Sequence, residues 1–475
     1  MPTAVSYTIP PIPFLLTVSS FLFLINLADY IFARYINAGL LGSLSIGILF
    51  GPQVSDILPE DVESSFIALG YIGLLLIVFD AGLSTNINLL FDNILLSCVV
   101  AFSGMAMPIA LSMLLLHFGY RYPTIQSFAA GASLSSTSLG TTLTVLKPQY
   151  RSTRTGTVLM AAALLDDIGG LVIAAILSQL SSYGSATSIP WYIIVRPILV
   201  SFGFAFGVPI FALISRHLLE RSGFHQGSIL FSSNAQLFIE VAVLSGFVAG
   251  AEYAGTSQLF GAYLAGAYLA YVFAVPGVTQ DMVAPLVAFR RHLMPALQAF
   301  LSPIFFASIG YALPIRSLGS VEGSSRVVWR GIVYSLLMGF AKFMVGLWML
   351  VWPDHSTGRG WFGCSHPSGA VRPESDEGAD NEAIGSARVP PPRPSDPDFT
   401  PSHSAALVGL AMIARGEIAL IVVEICRPLL GITSQEQSSE PLALVIWATL
   451  LNTAAGAVLV GFFLRRRKTT AIDCE

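Results

Sequence analysis

Residues 155–180, TGTVLMAAALLDDIGGLVIAAILSQL, decide the fold. The run is apolar or small almost throughout, contains no proline, and carries charge only at Asp166 and Asp167. Roughly 20 such residues, wound as a helix, cross the hydrocarbon of a bilayer. A charge near the bilayer centre costs about 2.5–3.5 kcal/mol on insertion scales, so each acid at mid-run needs a reason. Neighbouring helical residues point about 100° apart. The two carboxylates are therefore expected to face different surroundings, one a water-filled ion path and the other a neighbouring helix. Two close carboxylates also repel, which lets one of them hold a proton near neutrality and trade it for a cation. The plainer alternative is a structural polar pair in a helix bundle. Gly169 and Gly170 are expected to admit another backbone beside the pair.

The rest of the chain agrees with a membrane reading. It is 54% hydrophobic and 11% charged, whereas an ordinary soluble domain is about 25% charged. The net charge of −4 is small and scattered, and nothing points to nucleic acid as a partner. Cys98, Cys364, Cys426 and Cys474 are too widely spaced for a zinc site or a disulfide framework. The first apolar run has neither a basic start nor a small-residue exit, so it is read as a span and not as a cleaved leader.

About thirteen apolar runs are long enough, or nearly so, to cross as helices. They lie at 13–33, 37–51, 64–83, 94–117, 124–147, 155–180, 189–216, 230–251, 256–274, 293–313, 327–352, 403–428 and 440–464. An odd number puts the termini on opposite sides. With the C-terminus in the cytoplasm, twelve basic residues fall inside: Arg34, Lys147, Arg151, Arg154, Arg216, Arg221, Arg290, Arg291 and the Arg465–Lys468 cluster. Five remain outside: Arg121, Arg316, Arg326, Arg330 and Arg427. The positive-inside rule thus places the N-terminus outside. Residues 353–402, rich in Pro, Gly, Ser and acids, have no apolar periodicity and are expected to be a disordered cytoplasmic loop. The membrane domain is then 1–352 with 403–468, and 469–475 a short cytoplasmic tail.

Further intramembrane polar residues mark a site. Lys342, in GIVYSLLMGFAKFMVGLWML, lies near the centre of the eleventh run. Burial favours loss of its proton and a nearby carboxylate favours keeping it, so a Lys–Asp pair whose charge follows cation binding is a natural proton carrier. Snorkelling to an interface is the alternative. The stretch GASLSSTSLGTTLTVLK places Thr137 and Ser138 among hydroxyls and glycine at mid-membrane, which suits a broken helix; close packing of small residues is the other reading. In MIARGEIALIVVE, Arg415 and Glu417 flank Gly416 in the twelfth run. The two breaks fall in the fifth of the first six runs and the fifth of the last six, with 189–216 between. That is the arrangement of an inverted-repeat transporter. Arg415 and Glu417 serve equally well as an internal salt bridge or in ion handling. Asp80, Arg196, Glu240 and Glu424 are read as helix-end, cavity-lining or pairing residues, and Asp80 has no assigned role.

At these residues the chain resembles the cation/proton antiporter superfamily, in the branch of bacterial sodium/proton antiporters and Kef-type systems. LLIVFDAGL, SLSSTSLGTTLTVLK, LLDDIGGLVIAAIL, PIFFASIG, AKFMVG and ARGEIALIV stand in that family's order. The resemblance implies an all-α polytopic membrane protein: two inverted repeats with crossed broken helices, and a homodimer of protomers each split into a dimerisation domain and a mobile core. It implies Asp167 as the cation and proton carboxylate and Asp166 as the acid that pairs with Lys342. Na⁺ is expected at Asp167 and Asp166, with Thr137 as a further candidate ligand and no cofactor. An Asp-Asp pair with a lysine is similar to the electrogenic subclass. Kef-type systems carry a Gln-Asp pair and a large C-terminal nucleotide-binding domain, so gating of that kind is not expected. A potassium/proton exchanger of the same fold, or a proton-coupled solute transporter of another fold, is the alternative. An intramembrane aspartyl protease would need a Gly-x-Gly-Asp context, which is absent.

Overall fold

The computed structural model describes residues 9–36, 39–84, 94–137, 154–183, 191–221, 232–274, 284–313, 318–319, 325–352, 401–415, 417–430 and 440–472. The described residues are helical apart from turns. In chain order the helices are α1 (Ile12–Ile36), α2 (Gly39–Phe50), α3 (Glu60–Leu83), α4 (Ile94–Ser112), α5 (Thr124–Ser133), α6 (Arg154–Tyr183), α7 (Trp191–Arg221) and α8 (Ser233–Ala254). They are followed by α9 (Gln258–Val272), α10 (Ala284–His292), α11 (Ser302–Ala312), α12 (Arg326–Val345), α13 (Pro401–Ile413), α14 (Glu417–Leu430) and α15 (Glu440–Ile472). α4 runs on into a π-helical turn, Met113–Gly119, and a second such turn, Leu297–Leu301, leads into α11.

Among the described residues nine helices are long and apolar enough to cross a membrane, and Gly39–Phe50 and Pro401–Ile413 are shorter apolar helices. With the outer faces of α7 and α8 covered in Leu199, Phe202, Phe206, Ile210, Phe238 and other exposed apolar side chains, the surface suits lipid and not water. The expected disordered loop lies outside the described residues up to position 400, and α13 begins at Pro401. α15 continues to Ile472, four residues into the stretch assigned to the tail.

The helices pack as two groups. α4, α5, α6, α12, α13, α14 and α15 contact one another densely, and so do α1, α2, α3, α8, α9, α10 and α11. Contacts between the groups are sparse, and α7 touches both α6 and α9. Within a membrane the hydrophobic effect gives helices little reason to associate, so close backbone approach through small residues has to supply the dispersion contacts. Reciprocal glycines do this at two seams. A Cβ at Gly47 of α2 would strike the backbone of Ala307, and one at Gly310 of α11 would strike the backbone of Leu44. A Cβ at Gly346, just past α12, would likewise strike the backbone of Ala405 and Gly409 in α13, and one at Gly409 would strike the backbone of Phe343. The second seam fixes the helix that carries Lys342 against the first half of the twelfth run.

Because the Ala307 backbone cannot move aside, Gly47→Val should force α2 and α11 apart at a cost of about 1–3 kcal/mol. A thermal melt of the detergent-purified protein measures this. An unchanged midpoint would mean that the helices do not touch there.

Candidate functional site

At the end of α5 serine hydroxyls bond back to the helix backbone. Ser133 Oγ donates to the Ala129 carbonyl at 2.7 Å, and Ser135 Oγ to the Ala132 carbonyl at 2.7 Å. Such local side-chain bonds compete with the helix ladder, and residues 134–137 continue as non-helical backbone. α13 stops at Ile413 and α14 starts at Glu417. Helix thus ends within both stretches, at Ser133 and at Ile413, and a new helix starts at Glu417 after the second. Ser138 and Gly416 lie outside the described residues, and Glu417 is placed by its backbone as the first residue of α14.

The two interruptions touch. Arg415 Nη1 donates to the Ser136 carbonyl at 2.9 Å, and Thr137 Oγ1 donates to the Met412 carbonyl at 3.4 Å. Thr453 of α15 donates to the carbonyl of Arg415 itself at 3.0 Å. Three backbone acceptors freed by unwinding thus receive side-chain donors, the condition for non-helical backbone at membrane depth. Arg415 is fully buried, and its partner is backbone of the other break.

The charged pair lies against this junction. Lys342 Nζ sits 2.7 Å from Asp166 Oδ2, with both side chains 0% exposed. The same ammonium donates to Thr137 Oγ1 at 2.7 Å. Snorkelling is therefore excluded, because Lys342 is held in the interior. Asp167 turns to another face, where Ser136 Oγ donates to its Oδ1 at 3.3 Å, and it is 9% exposed. The structure thus brings Asp166, Asp167, Lys342, Thr137 and Arg415 together from α6, α12 and the two breaks.

One local expectation needs correcting. At Gly169 the close neighbour is the thioether of Met105, so the glycine admits a side chain of α4, where another backbone was expected. Gly104 went unnoticed in the sequence, although a Cβ there would lie 3.4 Å from Lys342 Nζ and 3.9 Å from Asp166 Oδ1. Pro108, four residues on within an apolar run, was the available signal. Thr453 was likewise missed, despite the Thr449/Thr453 spacing that puts two hydroxyls on one helix face. Of the four residues set aside, Arg196 donates to the Ala254 carbonyl at 3.3 Å and Glu424 pairs with Arg427 at 3.4 Å. Asp80 lies near the end of α3, where its Oδ1 has no hydrogen-bond partner. Glu240 departs from expectation: it is 1% exposed in the body of α8, and neither carboxylate oxygen has a hydrogen-bond partner.

A bundle of membrane-length helices around a buried ion pair and a second acid is that of a multi-pass membrane transporter. The chain belongs to the family of transmembrane sodium/hydrogen exchangers, which it matches over residues 18–465. It is 26% identical over 376 residues to the high-affinity Na(+)/H(+) antiporter NhaS3 of Synechocystis sp., across 74% of this chain and 76% of that one. It is 22% identical over 444 residues to a Na(+)/H(+) antiporter of Enterococcus hirae, across 93% of this chain and 95% of that one. Its fold is similar to that of the sodium proton antiporter MjNhaP1 from Methanocaldococcus jannaschii at pH 8. That likeness has a TM-score of 0.59 at 15% identity and covers 95% of this chain and 98% of the other.

Thr137→Val keeps the shape of the side chain and removes one of the two acceptors of a buried ammonium. The protein should lose about 1–3 kcal/mol of stability, while Thr137→Ser keeps most of it. Paired thermal melts check this, and equal stability of the valine and serine variants would remove Thr137 from the site.

Proposed function

We propose that the protein exchanges Na⁺ for H⁺ across its membrane by alternating access. The observation that carries this reading is the juxtaposition on one helix of a lysine-paired acid, Asp166, and a second acid, Asp167, beside unwound backbone. A cation near mid-membrane needs at least one ionised oxygen ligand, and the same oxygen must accept a proton on the return step. Asp167 fits that role because Lys342 forms its ion pair with the other acid, Asp166, while Ser136 donates to Asp167. Ser136 and Thr137 supply neutral oxygens nearby.

Lys342 acts as the second proton carrier. It pairs with Asp166 when no cation is bound, and sodium competes for that carboxylate. Freed of its partner in a low-dielectric interior, the lysine gives up its proton. With a second proton from Asp167, two protons move against one sodium ion, and the exchange carries charge. At 100 mV one such charge is worth about 2.3 kcal/mol.

The architecture proposed with this mechanism has thirteen spans in two inverted repeats, crossing at the breaks, with the N-terminus outside and the C-terminus in the cytoplasm. The group of helices around Lys342 is the mobile core, the other group is the dimerisation domain of a homodimer, and residues 353–402 are a cytoplasmic connection.

Asp167→Asn keeps the volume and removes both the charge and the proton, so inserted, folded protein should show no exchange in proteoliposomes offered Na⁺, Li⁺ or K⁺. Normal rates would rule out Asp167 as the ion carboxylate, and exchange by the unaltered protein with K⁺ alone would make it a potassium/proton exchanger.

Lys342→Gln should leave any surviving exchange electrically silent. Solid-supported-membrane current recorded alongside sodium flux tests this, and unchanged charge per sodium ion would sink the lysine's part.

A further inference from the structure

Lys342 and Thr137 meet at the far ends of two helices whose near ends are also tied. α12 begins at Arg326 and α5 at Thr124, and the turn before α5 carries Tyr120 and Tyr122. Arg330 Nη1 donates to Glu440 Oε1 at 2.8 Å and to the Tyr122 hydroxyl oxygen at 3.4 Å. Its guanidinium carbon lies 4.5 Å from the centre of the Tyr120 ring. One arginine of α12 thus reaches the first residue of α15 and both aromatic residues of the α4–α5 turn. The Arg330–Glu440 side chains are 22% and 15% exposed, so solvent screens the pair less than one on the open surface. The turn is itself held: the Tyr122 N–H donates to the Leu116 carbonyl at 2.9 Å, and His117 Nδ1 donates to the Tyr122 carbonyl at 2.9 Å. One turn further along α12, Tyr334 is fully buried, with its hydroxyl 2.9 Å from Ser112 Oγ of α4. Ser112 Oγ in turn donates to the Ser127 carbonyl of α5 at 2.9 Å. Ser112 has one proton to give and the carbonyl takes it, so Tyr334 is the donor to Ser112. About 12 Å beyond Tyr334, the Lys342 ammonium donates to Thr137 at 2.7 Å. α12 therefore holds α5 and the chain joined to it at three heights, and the last of these is the site.

We propose that Arg330 and Tyr334 are positioning residues for the exchange: they keep α5 in axial register with α12, so that Thr137 is delivered to Lys342 and to the incoming cation. The inference rests on the exchange reading above. Neither residue touches the ion; both act through Thr137. α5 is ten residues long and loses its helix at Ser133, so ties at its entry and its middle set where Thr137 falls. Each helical residue adds about 1.5 Å, and a slip of α5 by one residue is enough to part a 2.7 Å bond.

Arg330 stands about 18 Å along α12 from Lys342, and residues that far apart act additively unless something joins them. A cycle of variants therefore separates register from general stability. Tyr334→Phe removes one hydroxyl, and Arg330→Gln removes the charge from a pair that is not sealed, so both should fold. Each should raise the sodium half-saturation of exchange in proteoliposomes about fivefold or more. In a Thr137→Val background neither should raise it further, because the oxygen they position is gone. A merely structural role predicts lower melting temperatures with unchanged half-saturation, or equal increases in both backgrounds; either result overturns the proposal. Thermal melts of the same variants need no transport. Arg330→Gln and Thr137→Val together should lower the midpoint by less than the sum of their separate shifts, and additive shifts overturn the register. If the unaltered protein exchanges no Na⁺, the exchange reading falls, and the melts still decide whether Arg330 acts through Thr137.

Discussion

A lysine with no exposed surface, in a helix bundle set in lipid, keeps its charge only beside an anion. Removing an ammonium and a carboxylate from water costs several kcal/mol per ion, and the attraction between them repays it only when geometry and further hydrogen bonds are good. Lys342 and Asp166 meet that condition at 2.7 Å with Thr137 as a second acceptor. Much of the surrounding structure serves this pair. The α5 helix has to end before Thr137 so that its hydroxyl can turn to the ammonium. The glycine seam between α12 and α13 brings the lysine's helix against the second break. Gly104 lets α4 lie close to both charged groups. An ion pair of this kind adds little to stability by itself, but taking away one partner is costly, and that asymmetry suits a switch operated by a competing cation.

The breaks add a second electrostatic element. α5 at Ser133 and α13 at Ile413 both finish at the site, so both present the carbonyl, partially negative end of a helix. Arg415 is placed where those ends meet, and the Ser136 carbonyl accepts from it. A permanently charged guanidinium is suited to this position because it does not titrate. Lys342, by contrast, carries a group able to lose its proton. In the proposed exchange the two buried cations divide the work: Arg415 holds the junction of the breaks, and Lys342 follows the occupancy of Asp166.

The parts of this arrangement that were legible in the sequence are those where a rule of the bilayer is broken. Asp166, Asp167, Lys342 and Arg415 are charges inside apolar runs, and the Ser/Thr stretch around Thr137 is polar where lipid or helix is expected. Each such residue demands a partner, so they could be gathered into one site before any geometry was known. Gly104, Met412 and Thr453 break no rule. A glycine, a methionine and a threonine are ordinary in a membrane helix, and only the packing of α4, α13 and α15 gives them meaning. Gly169 illustrates the same limit. Its small size correctly signalled a close neighbour, but whether backbone or the Met105 thioether fills the space depends on where α4 lies. Helix termini also escaped, because α13 begins two residues inside a compositionally loop-like stretch.

The adjacency of the two acids is itself a constraint on mechanism. Side chains 100° apart on one rigid helix cannot both turn to the same neighbour, so α6 presents Asp166 to α12 and Asp167 to the α5 break. One carboxylate is sealed at 0% exposure and the other keeps 9%. A single acid would have to hold the lysine and receive the cation in turn, and the cation would then have to enter through a site already closed by an ammonium. In the proposed exchange two acids remove that conflict: the cation is first met by Asp167, and its charge weakens the hold of Asp166 on Lys342 before any displacement occurs. In that proposal the coupling between the ion and the proton is set by the pitch of one helix, and inserting a residue between the acids would separate functions that the present spacing joins.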